Sequence, residues 1–253
     1  MLWYESWLET RWRFLIGLGV LMCSAASFVF LWPRVVELLP VASSLQVSGK
    51  IGRQIRESVD LQRQYPGYVW SQWFRQNLTN IGTLFAALLG TGGLLSHRSG
   101  RLFMLSLPVS RKRFLGTRAP AGLAELFVLA FVPSLLIPLL SPVVGKTYGW
   151  GDVLIHSACF FLAAAVFFSL ALLLSTVFSD VWRPLLIAIA AALTMELSEQ
   201  FAFPGSRYGI FRVMSAEGWF RNGQLPWPGL MASVAASAAM LYGAAVNITR
   251  RDF

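Results

Sequence analysis

Two histidines, His97 and His156, two cysteines, Cys23 and Cys159, and 12 Asp and Glu are all the chain offers for metal binding or nucleophilic chemistry. Both cysteines lie inside apolar stretches, with no CxxC and no His at ligand spacing, so neither a zinc site nor a disulfide framework is expected. His156 has no GxSxG or HExxH to partner it, which argues against a hydrolase. A phosphate-cradling GxxxxGK[ST] is also missing. Gly49-Lys50 lacks both the upstream glycine and the following hydroxyl residue. The chain therefore reads as no enzyme, with no catalytic, cofactor or metal residues. Work done by it must draw on a partner or an ion gradient.

The charged residues near apolar runs are more informative. Glu125 is close to Arg118 near the inner interface, where a structural ion pair is the expected role, and Asp180 and Arg183 bracket a tight turn. Glu196 stands apart. It lies thirteen residues beyond Arg183, about 20 Å along a helix rising 1.5 Å per residue, within a hydrocarbon core about 30 Å thick. A carboxylate at that depth is costly unless it faces a cavity or partner. Glu196 is thus a candidate for the outer end of a translocation path, or a carboxylate that reaches water at a sloped helix end. The aromatic stretch 199–229, rich in Gly and Pro, reads as backbone that dips into the outer leaflet and returns.

The elements that must position these residues follow from hydropathy. Of 253 residues, 56% are hydrophobic and 13% charged, about half the charge of a soluble domain. The charges gather between six apolar runs, at 14–32, 77–96, 120–140, 153–178, 184–198 and 230–249. Each is near the ~20 residues a membrane helix needs. The fold class is therefore all-α: a polytopic helical membrane protein with six transmembrane helices in one permease-like domain, 1–253. The first run lacks a clear cleavage site and is longer than a signal core, so it reads as a retained helix. Before it, residues 1–13 have Trp3 and Trp7 four apart, as expected of an N-terminal interfacial helix. Residues 33–76 read as amphipathic helices on the outer interface, anchored by Tyr65, Tyr68, Trp70, Trp73 and Phe74. Stripes of alanine in the later runs favour close helix packing.

The net charge of +9 would suit nucleic acid, but most Lys and Arg flank apolar runs, where anionic lipid headgroups are the expected partner. With both termini inside, eleven of the 21 Lys and Arg are cytoplasmic; nine of the other ten fall in the two long connections 33–76 and 199–229, where they weigh less. The cluster at 98–118 decides the orientation. Both termini are expected in the cytoplasm of a multi-pass protein of the bacterial inner membrane.

That cluster belongs to a loop, 97–119, running HRSGRLFMLSLPVSRKRFLGTR before the third run. Pro108 would stop a short helix, and Ser110 would cap the next. Such a basic, kinked loop suits docking on another protein, or lying on headgroups. The stretches His97-Arg98-Ser99-Gly100 and Leu105-Ser106-Leu107-Pro108-Val109-Ser110-Arg111, with the basic tail Asn247 to Phe253, resemble the permease subunits of the ABC-2 type transporter family. His97 stands where that family often has Glu. The resemblance implies six spans, an exporter permease that dimerises with itself or a similar subunit, and two copies of a separate ATPase that bind the ATP. It also implies a coupling role for Arg98, Gly100, Arg101, Pro108, Arg111, Lys112 and Arg113. The alternatives are a membrane scaffold that recruits an ATPase, and a gradient-driven carrier.

Overall fold

The computed structural model describes residues 2–44, 59–91, 111–178, 180–202 and 209–250. Among them every regular element is helical. The first, α1, is one unbroken helix of 43 residues, Leu2–Ser44. At 1.5 Å per residue it measures about 65 Å, twice the ~30 Å hydrocarbon thickness. Residues 2–13 of the expected interfacial segment and the span 14–32 are thus a single rod. It also extends into the stretch expected on the outer surface, continuing through Pro33 and Pro40 to Ser44.

The second helical stretch differs more from expectation. It opens at Tyr65, twelve residues ahead of the apolar run at 77, and passes without a gap through α2 (Tyr65–Val69), a π-helical stretch Trp70–Leu78, and α3 (Thr79–Gly90). The rings expected to anchor at the interface are 0–4% exposed and form the middle of the core. Each polar tip finds a buried partner, which lets the whole ring leave the interface. Tyr65 Oη pairs with Ser141 Oγ at 2.6 Å, and Tyr68 Oη donates to the Phe28 carbonyl at 3.1 Å. Trp70 Nε1 donates to the Ser215 carbonyl at 2.9 Å, and Trp73 Nε1 to Ser134 Oγ at 3.2 Å.

α4 (Arg111–Leu140) carries Pro120, Pro133 and Pro138 inside it. Neighbouring helices make such prolines tolerable in a buried helix, and Ser134 Oγ also donates back to the Ala130 carbonyl at 2.8 Å. A 3₁₀ turn, Ser141–Val144, ends at Gly145, whose φ of 67° is the left-handed cap that glycine adopts at no steric cost. α5 (Trp150–Val177) is the central helix, with its single charge, Asp152, in the first turn where the helix dipole favours an acid. α6 (Trp182–Leu197) runs into a second π-helical stretch, Ser198–Ala202. Two short helices follow, α7 (Ile210–Met214) and α8 (Glu217–Asn222), before α9 (Trp227–Arg250).

Among the described residues, five helices are long and apolar enough to cross a membrane: Thr10–Leu38, Gly116–Val144, Trp150–Val177, Trp182–Phe201 and Trp227–Thr249. The chain is a multi-pass helical membrane protein. Their side chains outside the core are apolar too; Leu186, Leu193, Leu197 and Phe201 on and just beyond α6 are exposed, as lipid-facing positions would be. α3 crosses α5 at close range on glycine. A Cβ on Gly82 would stand 2.3 Å from the Phe160 ring, and one on Gly90 2.3 Å from the Phe168 carbonyl oxygen.

Contacts between helices fix their directions. Thr10 meets Glu125, Arg13 meets Thr91, and Asn247 meets Thr176. The start of α1, the end of α3, the start of α4 and the end of α9 therefore share one end of the bundle. Trp32, Tyr65, Ser141, Asp152 and Trp219 gather at the other.

Candidate functional site

Chemistry-bearing residues concentrate at those two ends. At the first, Arg13 on α1 reaches the C-terminus of α3 and donates through Nη1 to the carbonyls of Leu88 (3.3 Å) and Thr91 (2.8 Å). A helix C-terminus leaves carbonyls without intrahelical partners and carries partial negative charge, so a guanidinium is a fitting cap. Thr10, one turn earlier, donates its hydroxyl to Glu125 Oε1 at 2.5 Å, across 115 residues of sequence. Glu125 is 6% exposed and Arg118 3% exposed, with the Arg118 charge close enough to act on the carboxylate. The second oxygen, Oε2, has no hydrogen-bond partner among the described residues. A charge buried this deeply persists only when paired. The close partner of Glu125 is thus Thr10, and Arg118, buried on the same helix, acts on the carboxylate only through its charge. Thr10 was invisible in sequence because no local spacing links it to position 125.

Both chain segments that lead into the 92–110 region are rooted here. Thr91 is the last described residue before it, and α4 begins at Arg111. Arg98, Gly100, Arg101 and Pro108 lie outside the described residues, as does the cap expected at Ser110. Arg111, Lys112 and Arg113 form the first turn of α4.

At the opposite end the backbone turns inward. α7 packs against α5, and Val213, Met214 and Ala216 are buried in the core. Phe211 meets Phe167, ten residues from the end of α5, with ring centroids 5.8 Å apart. Residues 209–216 are thus folded in against the central helix. The Ser215 carbonyl accepts from Trp70 Nε1, and His156 Nδ1 lies 3.1 Å from the same oxygen. His156 is buried and stacks on Phe74 at 4.5 Å. Trp219 Nε1 donates to Asp152 Oδ1 at 3.0 Å. Glu217 pairs with Arg221 at 2.7 Å and with Arg212 at 3.8 Å, which ties α8 to α7. Tyr148, just outside the membrane helices, has its hydroxyl pKa pushed well above the ordinary phenol by burial, with Asp152 and Tyr65 adding to the effect.

Glu196 is partly exposed on the last turn of α6, with no hydrogen bond or ion pair among the described residues. The carboxylate that engages the inward segment is Glu199, three residues later. Its Oε1 accepts from the Phe211 N–H at 3.2 Å, and the N–H groups of Ile210 and Arg212 also bear on it. Glu199 was missed because depth along an ideal helix singled out Glu196, whereas the π turn at 198–202 sets which carboxylate faces the bundle. The Asp180–Arg183 pair is as read from sequence: Asp180 accepts the Arg183 backbone N–H at 3.1 Å and meets its guanidinium at 3.1 Å.

Among the described residues no three His, Cys, Asp or Glu gather as a metal site. Both cysteines are free, Cys23 exposed and Cys159 buried. No family model matches the chain, and neither a curated protein nor a solved structure does.

Proposed function

We propose that the chain is the permease subunit of an ATP-binding-cassette exporter, forming a translocation path as a dimer and driven by two copies of a separate ATPase. In this reading the run 77–96 is a sixth membrane crossing, the 97–119 loop is the cytoplasmic docking element, and both termini are cytoplasmic in a bacterial inner membrane. The resemblance of the Leu107-Pro108-Val109-Ser110-Arg111 stretch to ABC-2 permeases is the starting point. The observation that carries the reading is the buried cluster beside that loop. Arg13 holds the helix end that leads in, Glu125 and Arg118 sit on the helix that leads out, and Thr10 links them to α1. A push on the loop is then felt by three helices at once, since rigid elements joined by buried polar contacts move together. The outer end of the path lies where α6 gives way to α7, with Glu196 beside it.

A gradient-driven carrier is the second reading, and Glu125 favours it: a buried carboxylate within an apolar helix, one oxygen unpartnered among the described residues, is the kind of group such carriers protonate. One experiment separates the two. The tagged chain is purified from its native membrane and any co-purifying protein with a P-loop sequence is quantified. Reversing charge at Arg111 together with Arg113 leaves membrane insertion intact and lowers ATPase recovery. Equal ATPase recovery from parent and variant, with transport retained, overturns the docking assignment.

A further inference from the structure

The two π-helical stretches, Trp70–Leu78 and Ser198–Ala202, lie 119 residues apart between their last and first residues, yet both aim a side chain at the same five-residue helix. π-Helical backbone is rare and concentrates at functional positions. Glu199, from the second stretch, accepts the Phe211 N–H at the N-terminal end of α7. Trp70, from the first, donates to the Ser215 carbonyl at its C-terminal end. We propose that α7 is a displaceable plug seated in the bundle by this pair, with Trp70 and Glu199 as its positioning residues. The inference rests on the permease reading for its purpose, but its geometry stands apart from it.

Three further features fit a seated, movable element. A Cβ on Gly209, at the entry to α7, would stand 2.3 Å from Glu199 Oε2, so a side chain there would have to push the carboxylate off its seat. Ala216, at the exit, holds a left-handed φ of 49°, a conformation that L residues other than glycine adopt at a cost and that commonly marks a switch region. Trp70 also stacks flat on Phe220 of α8, with ring centroids 4.4 Å apart, so one residue grips both short helices. Tightening a π turn to an α turn removes one residue from that turn and swings the side chains beyond it around the axis. Such a change in either stretch withdraws its contact from α7.

The test uses the full chain with Cys23→Ser and Cys159→Ala, carrying Met214→Cys as a reporter, and reads the rate of labelling by fluorescein maleimide. Ala163→Cys on α5, equally buried, is the control reporter. Trp70→Phe keeps the ring stack and loses only the N–H; Glu199→Ala removes the acceptor, while Glu199→Gln keeps an acceptor oxygen. Labelling at 214 is expected to rise roughly tenfold in Trp70→Phe and Glu199→Ala, the scale of one lost hydrogen bond. It stays near the parent rate in Glu199→Gln, and the rate at 163 does not change. Gly209→Ala should match Glu199→Ala and add nothing to it, as coupled positions do. Parent-like labelling in Trp70→Phe and Glu199→Ala overturns the plug, and so does an equal rise at 163 or a Glu199→Gln rate as fast as Glu199→Ala. If labelling behaves as expected while no ATPase co-purifies, the plug stands and the permease reading falls.

Discussion

Gly90 packs against backbone, and that decides what a side chain there would cost. Its Cβ would meet the Phe168 carbonyl oxygen and the Leu172 amide, neither of which can rotate away as a side chain end can. Gly90→Ala should cost about 1–3 kcal/mol, the range for overpacking a tight core, read as a lower Tm of the detergent-solubilised protein. Gly116→Ala is the contrast. That position meets nothing within 4 Å, so alanine should leave Tm unchanged or raise it through helix propensity. At this scale sequence showed the pair that spacing controls, Asp180 with Arg183. It did not show Thr10 on Glu125 or Trp70 on Ser215, where 115 and 145 residues separate the partners.

Among the elements, hydropathy was a sound guide to the long helices. The runs at 120–140, 153–178, 184–198 and 230–249 all fall within helices, each beginning two to nine residues before its apolar run. It failed where burial is achieved by aromatic residues with polar tips. Tyr65 to Phe74 mix rings with Gln, Ser and Pro, so a hydropathy window scores them as interface, while their hydrogen bonds to Ser141, Phe28, Ser215 and Ser134 make them core. The same blindness separates Glu196 from Glu199, because no sequence window reports a π turn. These two carboxylates make distinct predictions. As a residue beside the path, Glu196→Leu should abolish transport while assembly and ATP hydrolysis survive, with Glu196→Gln intermediate. Full transport by Glu196→Leu would leave Glu196 as a helix-end residue with no part in the path.

For the molecule as a whole, Thr10 ties the start of α1 to α4 and Asn247 ties the end of α9 to the end of α5. The orientation in the membrane is a separate matter, argued from the basic cluster at 98–118. Asn222 is exposed at the end opposite that cluster. A cysteine at Asn222 should react with an impermeant maleimide added to intact cells, and a cysteine at Ser110 should react only after the membrane is opened. The reverse pattern would invert the topology. The apolar residues exposed along α6 and α9, including Leu186, Leu193, Met231 and Val234, leave ample surface for lipid and for a second copy.

The central claim is that this chain, lacking a phosphate-binding loop of its own, works as one of two permease subunits beneath two ATPases. Native mass spectrometry of the complex, purified from its own membrane through a tag on this 253-residue chain, measures that directly. The account predicts a particle with two copies of the chain, or one copy and a similar subunit, together with two copies of a P-loop ATPase. A particle containing this chain without any ATPase would contradict it.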